Sequence, residues 1–246
     1  MKKGLVSITF RSLSCEKITE LCNAAGLRFV EWGGDVHVPA GDIGKARAAA
    51  ALCRAAGVTP VGYGSYYNAS DPVERFIPSL LSAGALGSSY VRIWAGRGTV
   101  YDQCVEQNVA EAVRLASEKG IAVSLECHRN TLTENAENGV KLAKKTGCLL
   151  HFQPNPDVSF DENLRMLEAY APFLCAVHVF AWEKAQKGNI KSADVRLALI
   201  DHIDEWRRYA EAAPDVPFLL EFVKDDSEEA LLEDAKTLGM VGGAGR

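Results

Sequence analysis

Four polar side chains in the second half of the chain stand at the ends of four successive apolar runs. They are Glu126, Gln153, His178 and Glu221. A polar group in such surroundings is costly unless it has a partner. Two carboxylates, an imidazole and an amide oxygen make a mixed shell that suits one divalent metal ion (Mn²⁺, Mg²⁺, Co²⁺ or Zn²⁺), with water or substrate in the open positions. The alternative is four separately satisfied core groups, but four in succession favour a metal site.

Strand parity adds neighbours to this predicted site. Because side chains alternate along a strand, His128 shares the face of Glu126, whereas Cys127 faces the helices and is a poor candidate for a nucleophile. Arg92 and Trp94 also share a parity. We therefore expect Arg92 to point inward and to neutralise an acidic pocket, with His128 placed for a role in substrate binding.

Further candidates for substrate binding follow other apolar runs. They are Glu31, His37, Tyr66, Trp94, Arg97 and Trp182. Aromatic rings provide apolar walls, and a guanidinium clamps an anion or hydroxyl group. The simpler alternative for a loop histidine such as His37 is that it is merely solvated.

These residues need a scaffold that brings strand ends together. Eight short apolar runs alternate with amphipathic stretches at a spacing of about 30 residues, which is typical of βα units. The predicted strands are Gly4–Phe10, Leu27–Trp32, Val58–Tyr63, Tyr90–Ala95, Ile121–Glu126, Leu149–Gln153, Leu174–Val179 and Phe218–Phe222. The pattern predicts one (β/α)8 TIM barrel over residues 1–246, with function at the carboxyl ends of its strands. An open doubly wound sheet is the alternative, but the loop after the first strand lacks a glycine-rich phosphate fingerprint.

Helix signals fit this arrangement. They predict helices over Asp42–Ala56 before Gly57, Asn108–Lys119 before Gly120, and Ala136–Lys145 before Gly147, with further helix starts at Asp71-Pro72 and Ser227. Glycine after a helical stretch and Ser or Asp before one are the usual boundary residues.

Composition excludes several classes of protein. The 246 residues are 48% hydrophobic and carry a formal charge of -5, without a run of Lys or Arg, which argues against a nucleic-acid partner. We find no apolar run near the roughly 20 residues that span a bilayer, and the amino-terminal segment does not read as a signal peptide. Seven scattered cysteines without a CxxC pair indicate reduced thiols. We expect a soluble, cytoplasmic protein.

Five segments in order resemble one known family. They are VEWGGDVHVP (Val30–Pro39), YGSYY (Tyr63–Tyr67), VRIWAG (Val91–Gly96), LECHRNTLTEN (Leu125–Asn135) and LLEFVKDDSEEALLEDAKTL (Leu219–Leu238). The chain resembles the sugar phosphate isomerase/epimerase family of xylose isomerase-like TIM barrels over nearly its whole length. The resemblance implies metal ligands at Glu126, His178 and Glu221. The fourth ligand, usually an aspartate, is Gln153 here, which should weaken metal binding. Asp157, in the predicted loop four residues on, is the alternative, and Gln153 is favoured. The family also often has a basic residue after strand seven, for which Lys184 is the candidate, with Lys187 and Arg196 as alternatives.

The resemblance also implies a reaction. It predicts a metal-dependent isomerase or epimerase of a small sugar or sugar-like carbonyl compound, in which Glu126 and Glu221 move protons through an enediolate while His37 and His128 hold hydroxyl groups. Alternatives are a dehydratase of a keto-polyol and, because of Gln153, an inactive sugar-binding barrel. An apurinic endonuclease is disfavoured, because it needs more metal ligands and a basic face. The family implies a homodimer or homotetramer.

Overall fold

The computed structural model describes residues 1–183 and 195–242. Eight parallel strands close into a barrel, each paired with its neighbours in sequence and the last with the first. They are β1 (Lys2–Val6), β2 (Phe29–Gly33), β3 (Thr59–Asn68), β4 (Tyr90–Trp94), β5 (Ala122–Glu126), β6 (Leu149–Phe152), β7 (Leu174–Val179) and β8 (Pro217–Leu220). The predicted (β/α)8 fold is confirmed.

Within the described part of the chain, eight α-helices surround the strands. They are α1 (Cys15–Ala24), α2 (Ile43–Ala56), α3 (Ile77–Leu86), α4 (Gln103–Ser117), α5 (Ala136–Thr146), α6 (Phe160–Tyr170), α7 (Ile203–Ala212) and α8 (Glu228–Val241). Gly57 and Gly147 end α2 and α5 in the left-handed conformation, as predicted. Helix α4 begins earlier than predicted because Asp102 caps it, accepting a hydrogen bond from the backbone of Cys104. Within the described ranges, no helix is long and apolar enough to cross a membrane.

Several strands end at other residues than predicted. The predicted first strand stops at Val6, and Ser7–Phe10 form a 3-10 turn in which the Thr9 hydroxyl donates to the Val6 carbonyl at 2.7 Å. Strands β6 and β8 stop one and two residues short of the predicted ends. Gln153 and Glu221 therefore follow their strands directly, which leaves them at the mouth of the barrel.

The barrel interior is small and mixed in character. A compact apolar cluster of Val6, Ile8, Tyr90, Ala176 and Leu219 is separate from the main core between strands and helices. Gly62 on β3 makes room for one of its members, since a Cβ there would lie 2.3 Å from the Tyr90 ring. The remaining interior positions near the carboxyl ends hold charged residues, which form the candidate site.

Candidate active site

Three predicted metal ligands meet at the carboxyl end of the barrel. Glu126 ends β5, His178 lies near the end of β7, and Glu221 follows β8. The Nδ1 atom of His178 lies 3.2 Å from Glu221 Oε2 and 3.9 Å from Glu126 Oε1. All three side chains are buried. Glu126, Glu221 and Gln153 line a cavity of about 200 Å³, and His178 is directly behind them.

An arginine on β4 joins two of the buried carboxylates. Arg92 donates from Nε to Glu31 Oε1 at 2.8 Å and from Nη1 to Glu126 Oε2. The same Glu126 oxygen accepts from Trp94 Nε1 at 2.5 Å. One Glu126 oxygen is therefore occupied, and Oε1 faces His178. The predicted inward orientation of Arg92 is confirmed.

Glu31 lies deeper in the barrel and is fully buried. Its Oε2 accepts from the Tyr90 hydroxyl at 2.8 Å, and its Oε1 lies 3.5 Å from His178 Nε2. Burial opposes its ionisation, but Arg92 and the nearby histidines hold the pKa of Glu31 well below its usual range. Gly64 on β3 leaves the space for this ion pair, because a Cβ there would lie 2.6 Å from Arg92 Nη2 and 2.9 Å from Glu31 Oε1.

The site carries more negative than positive charge. Burial alone would lower the pKa of His178, yet Glu221 and Glu31 raise it to about 10. The neighbouring His151 on β6 behaves oppositely, since burial and His178 hold its pKa well below the usual value. Among the described residues, none of the four ring nitrogens of these two histidines has a hydrogen-bond partner. Unpartnered imidazole nitrogens beside carboxylates are a donor set that fits a divalent cation.

Among the described residues, a different group has the more closely spaced ligand atoms. Glu31, His151 and His178 have ligand atoms that all lie within 4.8 Å of one another. Glu31 already accepts hydrogen bonds on both oxygens, whereas Glu126 and Glu221 open onto the cavity. The ligand set nearer the cavity is therefore the one that a substrate could reach.

Comparison with known proteins finds the same architecture. No family model matches the chain, and no curated protein sequence matches it. The probable 3-DHS dehydratase AsbF from Bacillus anthracis superposes with a TM-score of 0.77 at 17% identity, covering 97% of this chain and 99% of that one. The chain has the fold of the xylose isomerase-like TIM barrels. At this identity the match shows the fold alone.

Two further solved structures share the xylose isomerase-like fold. The IOLI protein with a binding zinc atom has a TM-score of 0.72 at 17% identity, covering 99% of this chain and 98% of that one. D-allulose 3-epimerase from Methylomonas sp. has a TM-score of 0.68 at 13% identity, covering 99% and 97%. Xylose isomerase-like barrels thus include sugar-modifying enzymes and a zinc-binding protein.

Four of the predicted substrate-binding residues of this xylose isomerase-like barrel lie in the cavity wall. They are Tyr66, Trp94, His128 and Trp182. Trp94 packs between Tyr66 and His128, with ring centroids 5.5 and 5.6 Å away. Across the cavity, Trp182 stacks on Phe180 at 4.4 Å. The cavity therefore has aromatic walls, with polar atoms on Tyr66 and His128. Substrate binding by these residues stays a prediction.

Within the described residues, three other candidates lie outside the cavity wall: Glu31, His37 and Arg97. Glu31 is beneath it, fully engaged by Tyr90 and Arg92. The ring nitrogens of His37 lie 3.0 Å from the Ser7 hydroxyl and 3.1 Å from the Leu13 carbonyl. The structure does not support direct substrate contact by these residues, because their polar atoms already have protein partners.

Arg97 also lies outside the cavity wall and is bound to another protein side chain. It donates two hydrogen bonds of 3.1 Å to Asp71, and most of its side chain is exposed. The structure therefore does not support an anion clamp by Arg97. Lys184, like Lys187, lies outside the described residues.

His151 is one of the residues near the site that sequence reasoning missed, as Tyr90 is. It is fully buried on β6, and its ring centroid is 4.0 Å from that of His178. Its shared parity with Gln153 was a usable signal. Parity correctly assigned Cys127, whose sulfur packs 3.1 Å from Met166 on α6 and whose pKa burial raises to about 12.

Proposed function

We propose that the protein is a metal-dependent isomerase or epimerase of a small sugar or sugar-like carbonyl compound. The observation that supports this most directly is the convergence of Glu126, His178 and Glu221 at the buried end of an aromatic-walled cavity. The structural similarity to D-allulose 3-epimerase and to zinc-bound IOLI favours the same class of chemistry.

Glu126, His178 and Glu221 would hold the metal, with Gln153 supplying an amide oxygen from the same cavity wall. Manganese, magnesium, cobalt and zinc all suit such oxygen and nitrogen donors. When bound, the ion supplies a positive charge that polarises a carbonyl and stabilises charge developing on its oxygen. The free ring nitrogens of His178 and the surplus of carboxylates are the features that fit it.

The two glutamates are placed to move protons. They project from β5 and β8, which are separated by two strands on the barrel wall, so they approach a ligand from different sides. Arg92 and Trp94 fix one oxygen of Glu126 and leave the other available to accept a proton. In an isomerisation, Glu126 would return its proton to the former carbonyl carbon while Glu221 carries the neighbouring hydroxyl proton to the former carbonyl oxygen. In an epimerisation, a protonated Glu221 would supply the new C–H bond from the other side, and Glu126 would keep the proton that it removed. The Tyr66 hydroxyl accepts from Arg11 and can still donate, and His128 uses Nδ1 for the Arg129 carbonyl, so the Tyr66 O–H and His128 Nε2 would bond to substrate hydroxyl groups.

A dehydratase is the second candidate. The similarity to the probable dehydratase AsbF favours it, and this reaction also begins by removing a proton beside a carbonyl. The two reactions diverge only when a neighbouring hydroxyl group leaves. A product analysis by NMR on keto-polyols and ketoses distinguishes loss of water from rearrangement.

The first experiment measures metal content after loading with excess Mn²⁺ or Zn²⁺ and desalting. We expect about one ion per chain, lost in Glu221→Gln but retained in Glu229→Gln, an exposed glutamate on α8. In a turnover assay, Glu126→Gln and Glu221→Gln should lower kcat by a factor of about 10²–10⁴. Wild-type rates in both variants, or no metal after loading, would contradict the proposal.

Gln153 can be tested by restoring a carboxylate. Gln153→Asp should tighten metal binding, because it adds a negative ligand, and should destabilise the metal-free protein, because it adds a half-buried negative charge to a wall that already holds Glu126 and Glu221. Asn155→Asp places the same charge elsewhere in the cavity wall and serves as the control. Equal tightening in both variants would indicate long-range attraction rather than ligation by residue 153.

A further inference from the structure

We propose that Glu31 is a positioning residue: in the metal-bound protein it accepts the Nε2–H of His178 and so makes Nδ1 the nitrogen that binds the metal. The inference rests on the proposed function in that it requires a bound metal. It gives a role to a fully buried carboxylate that has no access to substrate.

The two nitrogens of His178 face different surroundings. Nδ1 is turned to the cavity side, with Glu221 at 3.2 Å and Glu126 at 3.9 Å. Nε2 is turned inward and faces Glu31 at 3.5 Å. Glu126 and Glu221, which line the cavity, lie on the Nδ1 side of the ring, and the enclosed Glu31 lies on the Nε2 side. We therefore assign Nδ1 to the metal and Nε2 to the contact with Glu31.

Both carboxylate oxygens of Glu31 are fixed by hydrogen bonds from neighbouring side chains. Arg92 donates to one of its oxygens and Tyr90 to the other, both at 2.8 Å. Gly64 leaves no spare volume beside the pair. A carboxylate fixed in this way accepts the free N–H of a metal-binding histidine and sets both its tautomer and its orientation. Changes to such partners typically weaken metal binding about 10–100-fold.

A rival arrangement would place the metal deeper, between Glu31, His151 and His178. The Arg92 guanidinium opposes it, because Nε lies 2.8 Å from the Glu31 oxygen that the cation would have to approach. Ring geometry opposes it as well. Two imidazoles sharing a tetrahedral zinc with bonds of about 2.0–2.1 Å have centroids about 5 Å apart. Here the two centroids are 4.0 Å apart in an edge-to-face arrangement.

The test compares Zn²⁺ affinity by calorimetry in full-length variants. Glu31→Gln should weaken binding about 10–100-fold, and Tyr90→Phe, which frees one Glu31 oxygen, should weaken it by less. Tyr170→Phe is the matched control, since its buried hydroxyl donates to the Thr133 carbonyl outside the barrel interior, and it should bind as the wild type does. His151→Leu should also retain affinity, whereas the rival arrangement requires its loss.

A spectroscopic readout separates positioning from a general loss of structure. In the zinc-loaded wild type, ¹⁵N NMR of the His178 ring should show Nδ1 bound to metal and Nε2 protonated. A metal on Nε2, or wild-type affinity in Glu31→Gln, overturns the inference while leaving the proposed function intact. A wild type that binds no zinc overturns both. If Glu31→Gln does not fold by circular dichroism, the NMR result on the wild type decides.

Discussion

Gly64→Ala is the sharpest test of the packed charges beneath the cavity. The new methyl group would lie 2.6 Å from Arg92 Nη2 and 2.9 Å from Glu31 Oε1, closer than real Cβ contacts. Neither side chain can retreat, because both are buried and each is bound to a further partner, Glu126 and Tyr90 respectively. Overpacking of an enclosed site costs about 1–3 kcal/mol. We expect a loss of that size together with weaker metal binding.

Thermal unfolding measures the effect. For a protein of this length, each kcal/mol shifts Tm by roughly 2–4 °C, so Gly64→Ala should lower Tm by roughly 2–12 °C. Gly84→Ala is the matched control on α3. Its methyl group meets only Ile121 Cδ1, at 3.8 Å, and alanine favours a helix over glycine by about 0.5–1 kcal/mol. The control should keep or raise Tm. A Gly64→Ala protein with wild-type Tm and metal affinity would refute the packing argument.

Two further predictions concern groups outside the site. Asp234 on α8 accepts from the backbone of Leu199 at 2.9 Å, and burial raises its pKa to about 6. The folded state therefore holds this proton more tightly than the unfolded state, and stability present below about pH 4 is lost as the pH rises through 6. Asp234→Asn should remove up to about 2 kcal/mol of this pH dependence between pH 4.5 and 7.5 in paired urea titrations. An equal difference from wild type at both pH values would contradict this. Burial raises the pKa of the Cys127 thiol to about 12, so iodoacetamide at pH 8 should modify exposed Cys104 and spare Cys127 by mass spectrometry; native alkylation of Cys127 would refute this.

Sequence patterns predict the barrel well because each strand and helix is marked by residues within its own segment. Continuous apolar runs mark strands covered on both faces, and glycines such as Gly57 and Gly147 mark helix ends. Strand boundaries are less predictable where the chain stays apolar but leaves the sheet. Ser7–Phe10 is such a segment, since the Thr9 hydroxyl turns the backbone while the residues around it remain buried.

Side-chain alternation along single strands predicts which residues point into the barrel, but it does not predict the contacts of Glu31 beneath the cavity. It correctly orients Arg92 toward the interior and Cys127 toward the helices. The partners of Glu31 come from β4, which lies beyond β3, and from β7, which only barrel closure brings near β2. Loop residues are harder still. His37 turns toward Ser7 through contacts that no local pattern contains.

The buried charges suggest a physical reason for glutamine at position 153. Glu31, Glu126 and Glu221 carry three negative charges and Arg92 carries one positive charge, which leaves a net charge of two negatives when the histidines are neutral, as metal ligation requires. One divalent cation balances this set. An aspartate at position 153, which is half-buried in the cavity wall, would add a negative charge that the cation does not balance. A metal-binding enzyme with this set of charges does not need a further negative charge at position 153. The presence of Gln153 is therefore, by itself, a weak argument for an inactive barrel.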